Sequence, residues 1–89
     1  MSNLRLSIHS NEHTWLREYL IQRRQELKLS QRALCEKMGV VSSFVGKVET
    51  GDRRLDIFEF ISYCGGLELD PKEVILQIEK EFQSKIDVD

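Results

Sequence analysis

Apolar residues recur at helical intervals through most of this chain, and five such stretches, separated by helix-stop signals, predict an all-α fold. The exception comes first. Leu4, Leu6 and Ile8 alternate with Arg5, Ser7 and His9, the period-two pattern of a short strand or an extended arm over residues 1–10. Ser10 or Asn11 then caps a first helix running to about Leu27, with Leu16, Leu20 and Leu27 on one buried stripe and Trp15 beside it. Ser30 caps a second helix of roughly two turns, whose Leu34, Cys35 and Met38 face inward. Gly39 ends it, because glycine accepts the left-handed backbone that a sharp turn between helices requires.

A third helix is expected from Ser42 to Thr50, stopped by Gly51, and its two sides differ in chemistry. Phe44, Val45 and Val48 form an apolar side, while Ser43, Gly46, Lys47 and Thr50 fall on a small, polar stripe opposite. Asp56 and Glu59 read as a capping box for a fourth helix, with Ile57, Phe60, Ile61 and Cys64 turned inward and Gly65-Gly66 ending or loosening it. Asp70, Pro71 and Glu73 start a fifth helix with an N-cap acceptor, a proline at the first helical position and an early acid. Its row of Val74, Ile75, Ile78 and Phe82, extended by Ile86, is longer than a tiny core requires, which points to a dimer interface; the competing reading is that the row completes the monomer's own core. The folded unit is expected over 11–84, followed by a short tail at 85–89.

At 89 residues the chain has room for one small core, which excludes a two-domain reading. No long apolar run and no signal-peptide pattern is present, so the expected setting is the cytoplasm, without a membrane partner. Cys35 and Cys64 form no CxxC pair and read as reduced, buried small residues. His9 and His13 flank Glu12 but supply only two nitrogens, too few for a metal site, and no cofactor motif is present. With neither a phosphate-cradling glycine loop nor a nucleophile-base pair, nor a core large enough for a substantial pocket, an enzyme is not expected.

The net charge of −2 argues against a polyanionic partner until its distribution is considered. Residues 23–54 hold eight basic and four acidic side chains, a local +4, and the rest of the chain carries −6. Such polarity offers one positive face to a polyanion while the acidic remainder disfavours indiscriminate adhesion.

The segment LSQRALCEKMGVVSSFVGKVETGDRRLD joins a short helix, a glycine turn and a second short helix, followed by a basic loop. It resembles the phage-repressor, Cro-like (XRE-type) helix-turn-helix family over about residues 16–76. The resemblance lies in the Ser30-Gln31 pair, Cys35 at a usual alanine position, turn Gly39, and the run Phe44, Val45, Lys47, Glu49 and Gly51. It continues through RRLD at 53–56 and LDPKEV at 69–74. It implies a compact five-helix domain with helices two and three as the reading unit, acting on double-stranded DNA as a transcriptional regulator and homodimer. Two recognition helices about 34 Å apart would then read a palindromic site.

A recognition helix packs one face on its scaffold and inserts the other into the major groove, so Ser42, Ser43, Gly46, Lys47 and Thr50 are the candidate base readers. Lysine donates to guanine, serine donates or accepts, a threonine methyl touches thymine, and Gly46 lets the backbone approach closely. Ser42 has a competing duty: Val41 stands where a Ser or Thr often caps this helix, which leaves Ser42 to act as cap. Gln31 looks like the family's phosphate-contacting glutamine, with Arg32 beside it; Arg53, Arg54, Arg23 and Lys28 are further phosphate candidates. Arg24 and Glu49 match a family pair that ties the first helix to the recognition helix. Two other functions are compatible with these residues: an antitoxin that also binds its own promoter, with a toxin or anti-repressor as protein partner, or an interaction module that has lost DNA binding.

Overall fold

The computed structural model describes the backbone of residues 7–86 and the side chains of residues 7–82. Five helices follow one another in it: α1 (Asn11–Glu26), α2 (Gln31–Met38), α3 (Phe44–Thr50), α4 (Ile57–Gly66) and α5 (Pro71–Ile86). No strand occurs among the described residues. Most of the expected strand or arm lies outside them; the described part, residues 7–10, is a tight turn closed by the Ser10 amide donating to the Ser7 carbonyl at 2.9 Å.

Local chemistry accounts for most helix ends. The Ser10 and Ser30 hydroxyls accept from the His13 and Ala33 amides, so α1 and α2 each begin with a donor satisfied. Asp56 and Glu59 close a reciprocal capping box at α4. Gly39 and Gly51 end α2 and α3 with φ of 73° and 86°, a region that penalises any side chain. The exception is the start of α3, which begins at Phe44 and not at Ser42. There the Phe44 amide is taken by the Val41 carbonyl at 3.0 Å, and Ser42 and Ser43 become a turn.

The main core gathers Leu20 from α1, Leu34 and Cys35 from α2, Phe44, Val45 and Val48 from α3, and Tyr63 and Leu67 at the end of α4. A smaller cluster of Phe60, Cys64 and Val74 binds α5 to it. Trp15 stacks on Tyr19 (5.2 Å between centroids) and meets Phe82 edge-on (5.8 Å), which holds α5 against α1. Cys64 is fully buried, which pushes its thiol pKa up to about 11, so the group stays neutral and unreactive.

Three expectations about packing are corrected here. Ile57 and Ile61 do not face inward: they are 56% and 48% exposed, and Tyr63, one position outside the expected stripe, fills the core in their place. Gly65-Gly66 ends α4, the first of the two outcomes expected of it, but does not loosen it. Helix α4 runs through Gly66, where a Cβ would stand 2.8 Å from Leu34 Cδ1 and 2.9 Å from Met38 Cγ; glycine there lets α4 press onto α2. Val74 and Phe82 belong to the monomer's own core, at 0% and 6% exposure, so among the described side chains of the expected dimer row Ile75 and the half-buried Ile78 remain, and the side chain of Ile86 lies outside them.

Among the described residues the buried Tyr63 hydroxyl finds no hydrogen-bond partner, and burial raises its pKa further above the ordinary phenol value. An unsatisfied buried hydroxyl is a net cost. Tyr63→Phe is therefore expected to stabilise the fold by about 1 kcal/mol, read as a higher urea midpoint with an unchanged slope.

Candidate nucleic-acid interface

Helix α3 is held from below and open above. Phe44, Val45 and Val48 are buried, whereas Ser42, Ser43, Lys47 and Thr50 are exposed and Gly46 is half-buried between them. Cys35 fastens its start: the sulfur accepts from the Val45 amide at 3.4 Å and donates to the Ser42 carbonyl at 3.5 Å. Ser43 occupies the N-cap position with φ −91° and ψ −5°, a helical conformation that turns its hydroxyl away from the amides it would cap. It makes no cap bond, and the capping duty expected of Ser42 is not taken up by that residue either. The Lys47 ammonium has no ion-pair partner among the described residues. Thr50 differs, for its hydroxyl is turned onto the Lys47 carbonyl (3.2 Å) and the Asp52 carboxylate (3.0 Å), leaving its methyl as the available group.

The orientation of α3 is set by a cluster at its far end. Arg24 Nε and Nη2 donate to the two Glu49 carboxylate oxygens at 2.6 and 3.1 Å, a bidentate pair in which the side chains are only 13% and 8% exposed. That hydrogen bonding raises the Arg24 pKa above its ordinary value. Arg24 Nη1 also donates to the Leu29 carbonyl at 2.8 Å, and Gln31 Nε2 donates to Glu49 Oε1 at 2.7 Å. Three segments therefore meet at the Glu49 carboxylate, α1, the first residue of α2 and α3 itself, and Arg24 ties in the α1–α2 loop through the Leu29 carbonyl. Gln31 is exposed, with its amide oxygen 3.3 Å from where a Cβ on Gly46 would lie.

The basic residues separate into bound and available groups. Arg53 lies over the Phe44 ring (4.9 Å to the centroid) and pairs with Glu59, so it is held in place beside α3. Arg54 and Lys28 are exposed and make no ion pair among the described residues; Arg32 has only a 3.9 Å approach to Glu36. Lys28 takes φ 59°, the left-handed residue that ends α1. Arg23 is placed elsewhere. Its Nε donates to the Leu67 carbonyl at 2.9 Å and its Nη2 to the Glu68 carbonyl at 3.4 Å, joining α1 to the end of α4.

Arg17 is a residue that sequence patterning did not single out. Its guanidinium donates to the Ile8 carbonyl and to Thr14 Oγ1 and lies against Gly51, where a Cβ would meet it at 3.3 Å. Burial, Arg54 and Arg17 together lower the His13 pKa, so this imidazole is neutral near pH 7 and adds no positive charge to the face. No cluster of three or more His, Cys, Asp or Glu side chains suited to a metal ion occurs among the described residues. Among them, no helix is long and apolar enough to cross a membrane.

Comparisons with known proteins agree with this geometry. Residues 20–74 match the HTH_3 helix-turn-helix family. The solved structure of an XRE-family like protein from Pseudomonas syringae pv. tomato str. DC3000 superposes with a TM-score of 0.78 at 32% sequence identity, over 83% of this chain and 90% of that one. No curated protein matches the sequence. With its two short helices, glycine turn and outward polar stripe within the matched span, the chain belongs to the XRE-type helix-turn-helix family of DNA-binding transcriptional regulators.

Proposed function

We propose that this chain represses transcription by binding a palindromic site on double-stranded DNA as a homodimer, with α3 in the major groove. The observation that carries this reading is the division of α3: a buried face locked by Cys35 and Glu49, and an outward face whose serine hydroxyls and lysine ammonium are not engaged by any of the described residues. Ser42, Ser43 and Lys47 read base edges, and Thr50 contributes its methyl. Gln31, Arg32, Arg53, Arg54 and Lys28 hold the flanking phosphates.

The second copy is expected against the apolar surface of α4 and α5. Ile57, Ile61, Ile75 and Leu76 are each more than two-fifths exposed, and a shallow groove of about 250 Å³ runs between Ile57, Phe60, Ile75 and Ile78. Covering such side chains with a copy of the same surface is the isologous arrangement a two-fold operator requires. Selection of duplexes from a random pool tests both parts of the reading. An enriched inverted repeat with half-sites about one helical turn apart supports it; recovery of no preferred duplex sinks it.

Gly46 gives a sharper test of close approach. Gly46→Ala is expected to gain up to ~1 kcal/mol of helix stability, since the new methyl needs only a small shift of the exposed Gln31 amide. The same methyl stands on the reading face, and affinity for the selected duplex is expected to fall about tenfold, ~1.4 kcal/mol. Thermal melting and fluorescence anisotropy on one protein sample measure both, and undiminished binding would remove the close-approach role.

A second reading, an antitoxin with a protein partner, is favoured by one observation. Phe58 is 78% exposed beside a groove formed with Met38, Val40 and Phe44, on a different face from the α4–α5 surface. Co-purification of a stoichiometric protein with the tagged chain, lost in Phe58→Ser, would support it.

A further inference from the structure

The turn before α3 carries an apolar side chain that neither the core nor the expected reading set uses. Val41 is 70% exposed, directly before the Ser42 and Ser43 hydroxyls. Its surroundings are fixed at three points. The Val40 amide donates to the Cys35 carbonyl at 3.0 Å, the Val41 carbonyl accepts from the Phe44 amide at 3.0 Å, and the Ser42 carbonyl accepts from the Cys35 sulfur at 3.5 Å. Cys35 itself is fully buried, so the turn is pinned to the core beneath it. A β-branched side chain has a stiff χ1, and Val41 therefore presents its two methyl groups in a nearly fixed position.

On the proposed DNA-facing surface, that position has few chemical complements. Base edges in the major groove offer hydrogen-bond donors and acceptors, which valine cannot use, and one apolar feature, the C5 methyl of thymine. We propose, resting on the DNA-binding reading above, that Val41 is a specificity residue that packs against a thymine methyl at the edge of each half-site. The serines and Lys47 supply hydrogen bonds, and Val41 adds an apolar contact that distinguishes T from every other base at one position.

Replacing thymidine with deoxyuridine deletes that methyl and leaves the pairing edge intact, so it isolates the contact. The probe is the duplex recovered from the random pool, with each thymidine replaced singly by deoxyuridine and binding followed by fluorescence anisotropy. One thymine in each half-site is expected to show a loss of about fourfold with the natural chain, the equivalent of ~0.8 kcal/mol for one buried methyl. Val41→Ala is expected to bind the uracil and thymine duplexes equally, and Val41→Ile to keep the discrimination. Because the side chain is exposed, both variants should melt close to the natural chain. Equal methyl sensitivity in the natural chain and Val41→Ala overturns the assignment while leaving DNA binding intact, as does a selected site with no sensitive thymine. If no duplex is recovered, the DNA-binding reading falls and this assignment falls with it.

Discussion

Replacing Glu49 with alanine is expected to destabilise the fold by about 3 kcal/mol, because it leaves the Arg24 guanidinium largely buried without its counter-charge. The low end of the usual range applies, since Arg24 keeps the Leu29 carbonyl at 2.8 Å. A chain of this size holds only roughly 5–10 kcal/mol in total, so the loss is a large fraction. Two further consequences follow from the geometry: Gln31 loses the oxygen that holds its amide, and α3 keeps its core packing on α1 but loses the hydrogen-bonded tie that orients it. DNA affinity should therefore fall even at temperatures where the variant remains folded. Urea titration and anisotropy together measure both effects. The joint variant Arg24→Met with Glu49→Met should recover much of the stability, because an apolar pair leaves no uncompensated charge. If Glu49→Ala alone melts like the natural chain, the pair is a surface ornament and the account of how α3 is oriented fails.

The second large effect is on specificity. Lys47→Ala should lower affinity for the selected duplex by roughly 1–3 kcal/mol and leave binding to random duplex nearly unchanged, since a base contact adds to the cognate site alone. Arg53→Ala is the contrasting control. Its guanidinium sits beside α3 over the Phe44 ring, suited to a phosphate, so its loss should weaken all duplexes alike and reduce the salt dependence. Lys47 is exposed, so neither its folding contribution nor a displaced neighbour confuses the comparison. Equal losses on cognate and random duplex would move Lys47 from the base-reading group to the phosphate group.

How much of this was legible in the sequence depends on the range of the interaction. Caps act over three or four residues, and Ser30, Gly39, Gly51, the Asp56–Glu59 box and Asp70-Pro71 mark helix ends that the structure reproduces. The start of α3 was not readable in that way, because the Val41 carbonyl captures the Phe44 amide and converts two potential caps into a turn. In α4 apolar residues surround the axis at Ile57, Phe58, Phe60, Ile61, Tyr63 and Cys64, and a period of 3.6 cannot choose among them. The neighbouring helices choose, and they bury Tyr63 while leaving Ile57 and Ile61 exposed. The same ambiguity in α5 separates Val74 and Phe82 from Ile75. Arg23 shows the limit most plainly: its partners are carbonyls 44 and 45 residues away, and nothing in local spacing indicates them.

The burial of one side of α3 and the idleness of the other have a consequence for how such a protein changes over time. Val41, Ser42, Ser43 and Lys47 contribute little to holding the chain together, so each is free to be exchanged without a structural penalty. The scaffold behaves as a socket into which new letters fit. A lineage can drift toward a different target, or an engineer can transplant four side chains from a cousin, while melting temperature stays where it was.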